Sequence, residues 1–405
     1  MKIKPFLLSQ DGFVFTMTML FCVFIGLYIV SPETQNNVFF HRTKDYMADF
    51  YNPAYSYSLQ PNPYKSSFRR EETSYPPLAF LLLRVAGNAG AQTETSKAAI
   101  AHLCMALMFL LFFAVLQSGF IKAGGKPVKS SFLVFSLFLS GIFLFSFERG
   151  NIVVLSSLLS AFFIFNYNSE NKISRELALI ALAVAAGLKL TPALLGVLLL
   201  FEKRYWQALR AAVYGMLCFF VPFLFFEGGL KNVFEMAANL KLMAAQYGDL
   251  NFPRFGFRYF VNFMNDSDLK HTLSGIFSLI DVILAISAVA ACYFQKSDWI
   301  RAMLLLLVIA TIPSNSAFYT GLYLFAGIVL FFSQKDFDKS RYKWFIILFI
   351  FLLNPIQIGR DVSVGLSNLS AYIMLIFLTA GTLAQFVAPK KMVNERNSTT
   401  EAYMK

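Results

Sequence analysis

The stretch LALIALAVAAGLKLTPALLGVLLLF, from Leu177 to Phe201, decides the fold predicted for this chain. It is apolar except for Lys189, which is followed by Leu190, Thr191 and Pro192. A lysine within a membrane segment costs about 3 kcal/mol on insertion scales, so it normally faces a protein interior or a water-filled cavity. Proline removes a helix donor and disfavours helix in the residue before it. The sequence therefore predicts two short helical halves that meet at a break around Lys189.

Basic residues flank this stretch on both sides: Lys172 and Arg175 before it, and Lys203, Arg204 and Arg210 after it. Because basic loops are retained in the cytoplasm, both flanks are predicted to be cytoplasmic, and the chain enters the membrane and returns. The break then lies near the opposite, extracytoplasmic side. If residues 177–201 formed a single span, the later basic clusters would lie outside the cell, which contradicts the rule that basic loops are cytoplasmic.

Composition also indicates a membrane protein. Hydrophobic residues make up 57% of the chain and charged residues 14%, mean hydropathy is +0.58, and soluble domains carry about 25% charged residues. The net charge of +12 is spread through short loops between apolar segments, so it indicates topology and not a nucleic-acid partner. The four cysteines lie in apolar segments without zinc or disulfide spacing and are expected to be free thiols.

The predicted fold is all-α, a polytopic transmembrane bundle of about 10–12 membrane segments with short interfacial helices and outer-face loops. Residues 1–388 are expected to form one transmembrane domain, with a first outer loop at 32–75 and a second large outer loop at 227–271. Residues 389–405 are expected to form a basic, polar cytoplasmic tail. Spans are predicted near residues 12–31 (an uncleaved first helix), 97–119, 131–147, 151–167, 177–201 as the broken pair, 211–226, 272–294, 301–312, 317–333, 344–357 and 369–388.

The unusual polar residues collect in the predicted outer loops. Asp45 and Asp49 are one helical turn apart, so on a helix they would share a face. A carboxylate beside a water-excluded cavity can act as a general base, although an acidic loop residue on its own is usually only solvated. The element Tyr75-Pro76-Pro77-Leu78 predicts a short interfacial helix started by proline. Two roles stay open for Asp281, a buried hydrogen-bond partner or a part of the cavity wall.

These pieces together resemble glycosyltransferase family 87, the polyprenol-phosphate-sugar-dependent transferases of the GT-C class. The order and spacing of the motifs carry the resemblance, because none of them is specific alone. The motifs are an aspartate-containing first outer loop ending in Asn62-Pro63-Tyr64, then Tyr75-Pro76-Pro77-Leu78, then Arg149-Gly150-Asn151 where many members have Gly-Gln-x-Asn, and Gly187-Leu188-Lys189-Leu190-Thr191-Pro192-Ala193.

The resemblance implies a GT-C-like multi-pass enzyme of the inner (plasma) membrane, with its active site on the extracytoplasmic side. It would transfer a hexose, mannose-like, from a polyprenyl-phosphate sugar to a lipid-linked or glycan acceptor, with inversion and without metal or cofactor. Asp49 is the implied general base, with Asp45 as the alternative. The implied binding residues are Lys189 and Arg149 for the donor phosphate, and Tyr75, Asn151, Thr191, Arg254 and Arg258 for the substrate pocket.

Other roles stay open beside this one. Arg149 could equally pair with Glu148 at a tight outer turn. A lipid-linked sugar transporter or flippase would use broken helices and an intramembrane lysine, but it predicts breaks in two related halves, and the sequence shows one. A polysaccharide polymerase of lipid-linked repeat units would use arginines on large outer loops, a pattern that Arg254 and Arg258 fit.

Overall fold

The structure is a computed structural model of the 405-residue chain. It describes residues 6–30, 46–65, 73–90, 93–247, 254–257, 260, 267–313, 317–333, 342–354 and 366–387. Within this part of the chain the secondary structure is helical, apart from one isolated bridge between Arg254 and Ala317. The prediction of an all-α, polytopic helical bundle is confirmed. The predicted tail at 389–405 lies outside the described residues.

The main helices, in chain order, are α1 Gln10–Val30, α2 Ala48–Tyr51, α3 Pro77–Gly90, α4 Glu94–Lys122, α5 Pro127–Phe138, α6 Gly141–Arg149, α7 Val153–Asn166, α8 Lys172–Leu188, α9 Val197–Phe201, α10 Tyr205–Phe220, α11 Asn232–Tyr247, α12 Ser267–Phe294, α13 Asp298–Thr311, α14 Leu324–Ser333, α15 Phe345–Leu353 and α16 Leu366–Val387. A π-helix covers Asn52–Tyr57, and 3₁₀-helices cover Pro63–Lys65, Thr191–Gly196, Val221–Phe225, Gly229–Lys231 and Phe318–Tyr323.

Several helices are long and apolar enough to cross a membrane. Five of those described meet that condition, or six when a bent pair is counted as one span. The five are Gln10–Leu27, Glu94–Lys122, Tyr205–Phe225, Asp268–Phe294 and Leu366–Phe386. Capping residues mark the start of two helices of the bundle: Thr93 and Ser96 form a reciprocal capping box at the start of α4, and the Asn171 side chain accepts from two backbone N–H groups at the start of α8.

The helix break predicted in the decisive stretch is present. Helix α8 ends at Leu188, and Lys189 has an extended backbone with φ −151° and ψ 124°. The chain then turns through the 3₁₀-helix Thr191–Gly196, which has proline at its start, into α9. Helix α8 packs against α7 and α10, so the break is held within the bundle.

A second break lies where the sequence predicts one span, at residues 131–147. Helices α5 and α6 meet there at a bend of 59°. The Ser140 hydroxyl donates to the Leu137 carbonyl (2.6 Å), and its oxygen accepts from the Phe143 backbone N–H at 3.3 Å. One serine thus satisfies both helix ends, a local hydrogen-bonding solution that hydropathy does not register.

The two long loops that the sequence predicts to lie on the outer side contain helices of their own; we keep the names first and second outer loop for them after that prediction. Residues 227–271, predicted as one large loop, hold a 3₁₀-helix, the whole of α11 and the first residues of α12. The first loop, 32–75, holds α2, the π-helix Asn52–Tyr57 and the 3₁₀-helix Pro63–Lys65. The short helix predicted after Tyr75 is α3. These short elements give the loop residues fixed positions over the bundle.

At the end of the bundle opposite the Lys189 break, Glu202 holds three segments together. It accepts from the Tyr167 hydroxyl at 2.6 Å and pairs with Arg301 and Arg204, each at 3.0 Å. The Glu202 and Arg301 side chains are only 20% and 11% exposed. These bonds connect the end of segment 191–201 to α7 and to α13. Removing one partner of a mostly buried ion pair leaves an uncompensated charge, so the cluster is expected to stabilise the fold only while both partners are present.

Candidate functional site

The first outer loop docks onto the turn between α6 and α7 through its backbone. The Met47 N–H donates to the Glu148 carbonyl at 2.7 Å, and Met47 is fully buried in the left-handed region at φ 55°. A non-glycine residue in that region is held there by surrounding contacts at some energetic cost. This docking places α2, which begins one residue later, against the Arg149-Gly150-Asn151 turn.

Asp49 is the centre of the resulting cluster. One carboxylate oxygen accepts a hydrogen bond from the Arg149 guanidinium, and the other accepts from the Asn151 amide at 2.8 Å. The Asp49 and Arg149 side chains are each 15% exposed, so they are largely enclosed but still reachable. A carboxylate has about four acceptor sites, so these two bonds leave capacity for a further donor.

Gly150 forms the turn between Arg149 and Asn151, the two hydrogen-bond partners of Asp49. It ends α6 in the left-handed conformation with φ +64°, and its N–H donates to the Ser146 and Phe147 carbonyls. A Cβ added there would lie 2.6 Å from the Met47 sulfur and 3.1 Å from the Phe50 Cβ. Both the backbone conformation and the close approach of the outer loop therefore require glycine.

The orientation of the Asn151 amide follows from its partners. Its Oδ1 accepts from the Val153 N–H at 2.9 Å, next to the start of α7. With the oxygen so placed, the NH₂ group faces Asp49 and also lies 3.4 Å from the Tyr75 hydroxyl. Burial, and after it the charge of Asp49, raises the pKa of Tyr75 well above its ordinary value. Tyr75 therefore stays protonated beside the carboxylate.

Lys189 reaches the same cluster from the helix break. Its ammonium lies 5.2 Å from the centre of the Tyr319 ring, within cation–π range, and it is close enough to Asp49 for their charges to interact. The charges of Asp49, Arg149 and Arg254 also act on the Tyr319 hydroxyl. Tyr319 is thus the side chain around which the acidic and basic residues gather.

Arg254 lies in a short segment, residues 254–257, that contacts three other segments of the chain. We call this segment the strap. The Arg254 backbone forms a bridge with Ala317, and the Phe255 ring stacks on Phe318 at 5.3 Å. The amide of Asn368 both accepts from the Gly256 N–H at 3.1 Å and donates to the Gly256 carbonyl at 3.0 Å. Arg254 itself is 8% exposed, so the strap holds a cation inside the protein.

Asp281 supports the end of this strap. Its carboxylate accepts from the Phe257 N–H at 3.2 Å and from the Tyr372 hydroxyl at 2.5 Å. Of the two roles that the sequence leaves open, the structure shows the first, a buried hydrogen-bond partner. It connects α12 to α16 and to the strap that carries Arg254.

The structure thus brings together most of the predicted site residues. Asp49, Arg149, Asn151 and Tyr75 are linked by hydrogen bonds. Lys189 lies over the Tyr319 ring, and the charge of Arg254 acts on the Tyr319 hydroxyl. Thr191 differs, because its hydroxyl belongs to a buried network with Tyr323, whose hydroxyl donates to Ser156 at 2.8 Å. Arg149 pairs with Asp49, and the charge of Glu148 also acts on it. Asp45 and Arg258 lie outside the described residues.

Three residues of the cluster were not predicted from the sequence. Tyr319 follows the polar Pro313-Ser314-Asn315-Ser316 stretch, which predicts an outer loop but does not single out this aromatic residue. Asn368 and Met47 act through backbone hydrogen bonds. The sequence did contain one indication for Asn368. It is a polar amide at the end of a predicted membrane span, a position where a polar side chain is expected to need a hydrogen-bond partner.

Comparison with known families decides the class of the protein. A model of Glycosyltransferase family 87 matches residues 73–314, more than half of the chain. The chain belongs to glycosyltransferase family 87. The family resemblance predicted from the motifs is confirmed, and the protein is a membrane glycosyltransferase that acts on a sugar donor and an acceptor. No curated protein and no solved structure matches the chain.

The matched region of this family 87 member contains Tyr75, Arg149, Asn151, Lys189 and Arg254, but it begins after Asp49. The contacts of Asp49 therefore link the N-terminal loop to the part of the chain that carries the family match.

Proposed function

We propose that this glycosyltransferase takes a hexose, mannose-like, from a polyprenyl-phosphate sugar and transfers it to a lipid-linked or glycan acceptor on the extracytoplasmic face of the inner (plasma) membrane. Asp49 acts as the general base and the anomeric configuration is inverted. The observation that carries the proposal is the enclosed carboxylate of Asp49. It is hydrogen-bonded to Arg149 and Asn151, and its charge interacts with that of Lys189.

The proposed chemistry is a single displacement. Asp49 accepts the proton of an acceptor hydroxyl while that oxygen attacks the anomeric carbon from the side opposite the phosphate. The bond from the anomeric carbon to the phosphate oxygen breaks, and its electron pair leaves with the lipid phosphate. Proton transfer to a positioned base contributes about 10²–10⁴-fold to such reactions. Two fixed donors hold Asp49 in one orientation, which favours this step.

The leaving phosphate needs cations, and the cluster supplies them. Charge develops on the phosphate oxygen as the bond breaks, and fixed positive groups in a water-poor site stabilise that charge. The Lys189 ammonium lies over the Tyr319 ring, and the charges of Arg254 and Asp49 both act on the Tyr319 hydroxyl. Arg149 is already engaged with Asp49, so its main part in the proposal is to orient the base and its phosphate contact is secondary.

The donor class is tested with purified protein in detergent or liposomes. Labelled mannosyl and glucosyl polyprenyl phosphates should transfer sugar, whereas nucleotide sugars should not. Asp49→Asn keeps shape and should lower turnover by about 10²–10⁴-fold, with Asp11→Asn, an exposed carboxylate at the start of α1, as the unaffected control. Transfer from a nucleotide sugar without a lipid intermediate, or an active Asp49→Asn, would dismiss the proposal.

The extracytoplasmic placement is tested separately. In a variant without the four native cysteines, single cysteines at Asn171 and Gln207 should be shielded from an impermeant thiol reagent added outside the cell. A cysteine at Lys231, in the second outer loop, should be labelled. Labelling of residue 171 or 207 from outside would place Lys189 and its neighbours on the other side.

A polymerase of lipid-linked repeat units is the second candidate, and buried Arg254 beside the Asp49 cluster is the observation that favours it. Such an enzyme would transfer a whole oligosaccharide from a lipid diphosphate. Mass spectrometry of the product separates the two functions, because a transferase adds one sugar per turnover from a monophosphate donor. Extension by repeat units would favour the polymerase.

A further inference from the structure

Tyr323 is a fully buried tyrosine, and a buried tyrosine hydroxyl needs a hydrogen-bond partner. It donates to the Ser156 hydroxyl of α7 at 2.8 Å. The Ser156 hydroxyl in turn donates to the Ala185 carbonyl of α8 at 3.0 Å. Ser156 and Ala185 are fully buried as well. We define this chain of two hydrogen bonds, from Tyr323 through Ser156 to Ala185, as the tyrosine–serine link.

The tyrosine–serine link ends on the carbonyl that closes the last turn of α8. The Lys189 backbone N–H donates to the same Ala185 oxygen at 3.0 Å, where the helix stops. A carbonyl oxygen has two lone pairs and can accept both donors. On the other side of the break, the Thr191 hydroxyl also interacts with the Tyr323 hydroxyl. The link therefore contacts the chain both before and after Lys189.

The short helix that carries Tyr323 also carries the partner of the Lys189 ammonium. Tyr319 and Tyr323 are four residues apart in the 3₁₀-helix Phe318–Tyr323, and the ammonium lies 5.2 Å from the centre of the Tyr319 ring. This 3₁₀-helix packs against α6, α7 and α13. One segment within the bundle thus contacts the Lys189 side chain directly and contacts its backbone through Ser156.

The position of the Lys189 ammonium depends on where the backbone of that residue is held. A lysine carries its charge on a flexible four-carbon stem, so the stem alone does not fix the charge. The Lys189 backbone is extended where it leaves α8, and the Ala185 carbonyl is the point at which the helix holds it. A shift of this point would change the distance of the ammonium from Tyr319 and from the Asp49 charge.

We infer that Tyr323 and Ser156 are positioning residues for Lys189, an inference that rests on the proposed function. Tyr323 fixes the Ser156 hydroxyl, and Ser156 fixes the end of α8 from which the ammonium reaches the leaving phosphate. Neither residue needs to touch the substrate for this role. Misplacement of a group by about 1 Å can cost as much as 10²-fold in rate. Loss of either hydroxyl should therefore weaken transfer, but only where Lys189 is present.

The test compares each variant in two backgrounds, wild type and Lys189→Ala. Purified full-length protein would be assayed with the labelled mannosyl or glucosyl polyprenyl phosphate that the wild type uses. Tyr323→Phe keeps the ring and should lower kcat/KM roughly threefold to tenfold, the scale of one hydrogen bond. In the Lys189→Ala background it should leave kcat/KM unchanged, because residues that act through a shared partner are not additive. Ser156→Ala, a smaller change in the same link, should behave alike.

Two matched controls separate positioning from stability. Tyr167→Phe removes another buried tyrosine hydroxyl, which donates to Glu202 at 2.6 Å at the opposite end of the bundle. Ser160→Ala removes a buried serine hydroxyl that donates within α7, to the Ser156 carbonyl at 2.8 Å. Both controls should keep the wild-type kcat/KM, even where they lower the midpoint of thermal unfolding.

Unchanged kcat/KM in folded Tyr323→Phe or Ser156→Ala would overturn the positioning role and leave the transferase proposal intact. Equal losses in the wild-type and Lys189→Ala backgrounds, or losses of the same size in the two controls, would overturn it as well. If Tyr323→Phe does not fold, Ser156→Ala decides the question with Ser160→Ala as its control. Failure of the wild type with both donors would instead contradict the proposed function.

Discussion

The Asn151 amide donates a hydrogen bond of 2.8 Å to the carboxylate of Asp49, across 102 residues of sequence. The other end of the same amide accepts from the Val153 N–H, so the group cannot turn over without losing a bond at each end. The start of α7 thereby fixes the rotation of a carboxylate in the first outer loop. This relationship makes Asn151 a sensitive position for testing the proposed base.

Asn151→Asp should be more damaging than Asn151→Ala. The aspartate would keep an oxygen for the Val153 N–H but would set a second carboxylate against Asp49, and like charges at such short range disfavour each other's ionised form. The alanine loses one charge-assisted bond, about 1.5–3 kcal/mol. Steady-state rates on matched membrane levels decide this prediction. An Asn151→Asp variant as active as Asn151→Ala would contradict the geometry.

Gly150→Ala should lower activity while the protein still inserts. A non-glycine residue in the left-handed conformation costs about 1–2 kcal/mol, and the new Cβ would press on the Met47 sulfur at 2.6 Å. Adding Met47→Ala should recover part of the activity by removing that contact but not the backbone cost. Gly275→Ala, with open space around its Cβ, is the control. Full activity of Gly150→Ala would show that the loop does not dock as described.

Lys189→Ala should weaken use of the lipid donor by about 1–3 kcal/mol, the scale of a lost hydrogen bond to a charged group. The loss should appear in kcat/KM, because a cation that stabilises the leaving phosphate acts most strongly in the transition state. Lys172→Ala removes an exposed cation at the start of α8 and should be silent. Unchanged kinetics in Lys189→Ala would remove the ammonium from the mechanism.

Asn368 should act through Arg254. The two hydrogen bonds from Asn368 to the Gly256 backbone are expected to position the Arg254 guanidinium. Asn368→Ala should therefore raise the KM for the donor. A double variant that also carries Arg254→Ala should have the same KM as Arg254→Ala alone. Residues that act through a shared partner deviate from additivity by about 0.5–3 kcal/mol. Donor KM for the two single variants and the double variant gives the coupling directly. Additive losses would mean that Asn368 supports the fold independently of Arg254.

Glu202→Ala should destabilise the protein more than any exposed ion-pair variant. The substitution leaves Arg301, which is 11% exposed, without its carboxylate partner. Breaking a fully buried ion pair costs about 3–5 kcal/mol, and this range is an upper limit for the partly exposed pair of Glu202 and Arg301. Asp11→Ala breaks the exposed pair with Lys129, where about 0–1 kcal/mol is at stake. Thermal unfolding in detergent compares them. Equal midpoints would show that the Glu202 cluster contributes little.

Hydropathy and charge were sufficient to predict a helical membrane bundle, because lipid requires every backbone group to be satisfied within helices. They also located the break at Lys189, since a charge and a proline within one apolar run leave few alternatives. The bend between α5 and α6 escaped prediction, because it depends on the hydroxyl of Ser140 closing two helix ends. A single serine in an apolar run is ordinary, and its partners become visible only in three dimensions.

The site was predictable where a motif contains unusual residues for a membrane protein. Asp49, Arg149, Asn151 and Lys189 are polar groups at the edges of apolar segments, and the family resemblance ordered them. Tyr319 could not be selected, because the chain has 18 tyrosines and the contact of this one with Lys189 exists only after folding. The role of Asn368 depends on its bonds to a backbone 112 residues away, which no local pattern encodes.

The pairing of Asp49 with Arg149 joins positions 100 residues apart, and it has a consequence for protein synthesis. Asp49 leaves the ribosome long before its two partners exist, because α3, α4, α5 and α6 are synthesised in the interval. The proposed active centre therefore cannot form in the nascent protein until the turn after α6 is complete. Fragments divided between α3 and α6 would each be inert, and catalysis would require both halves to meet in one membrane.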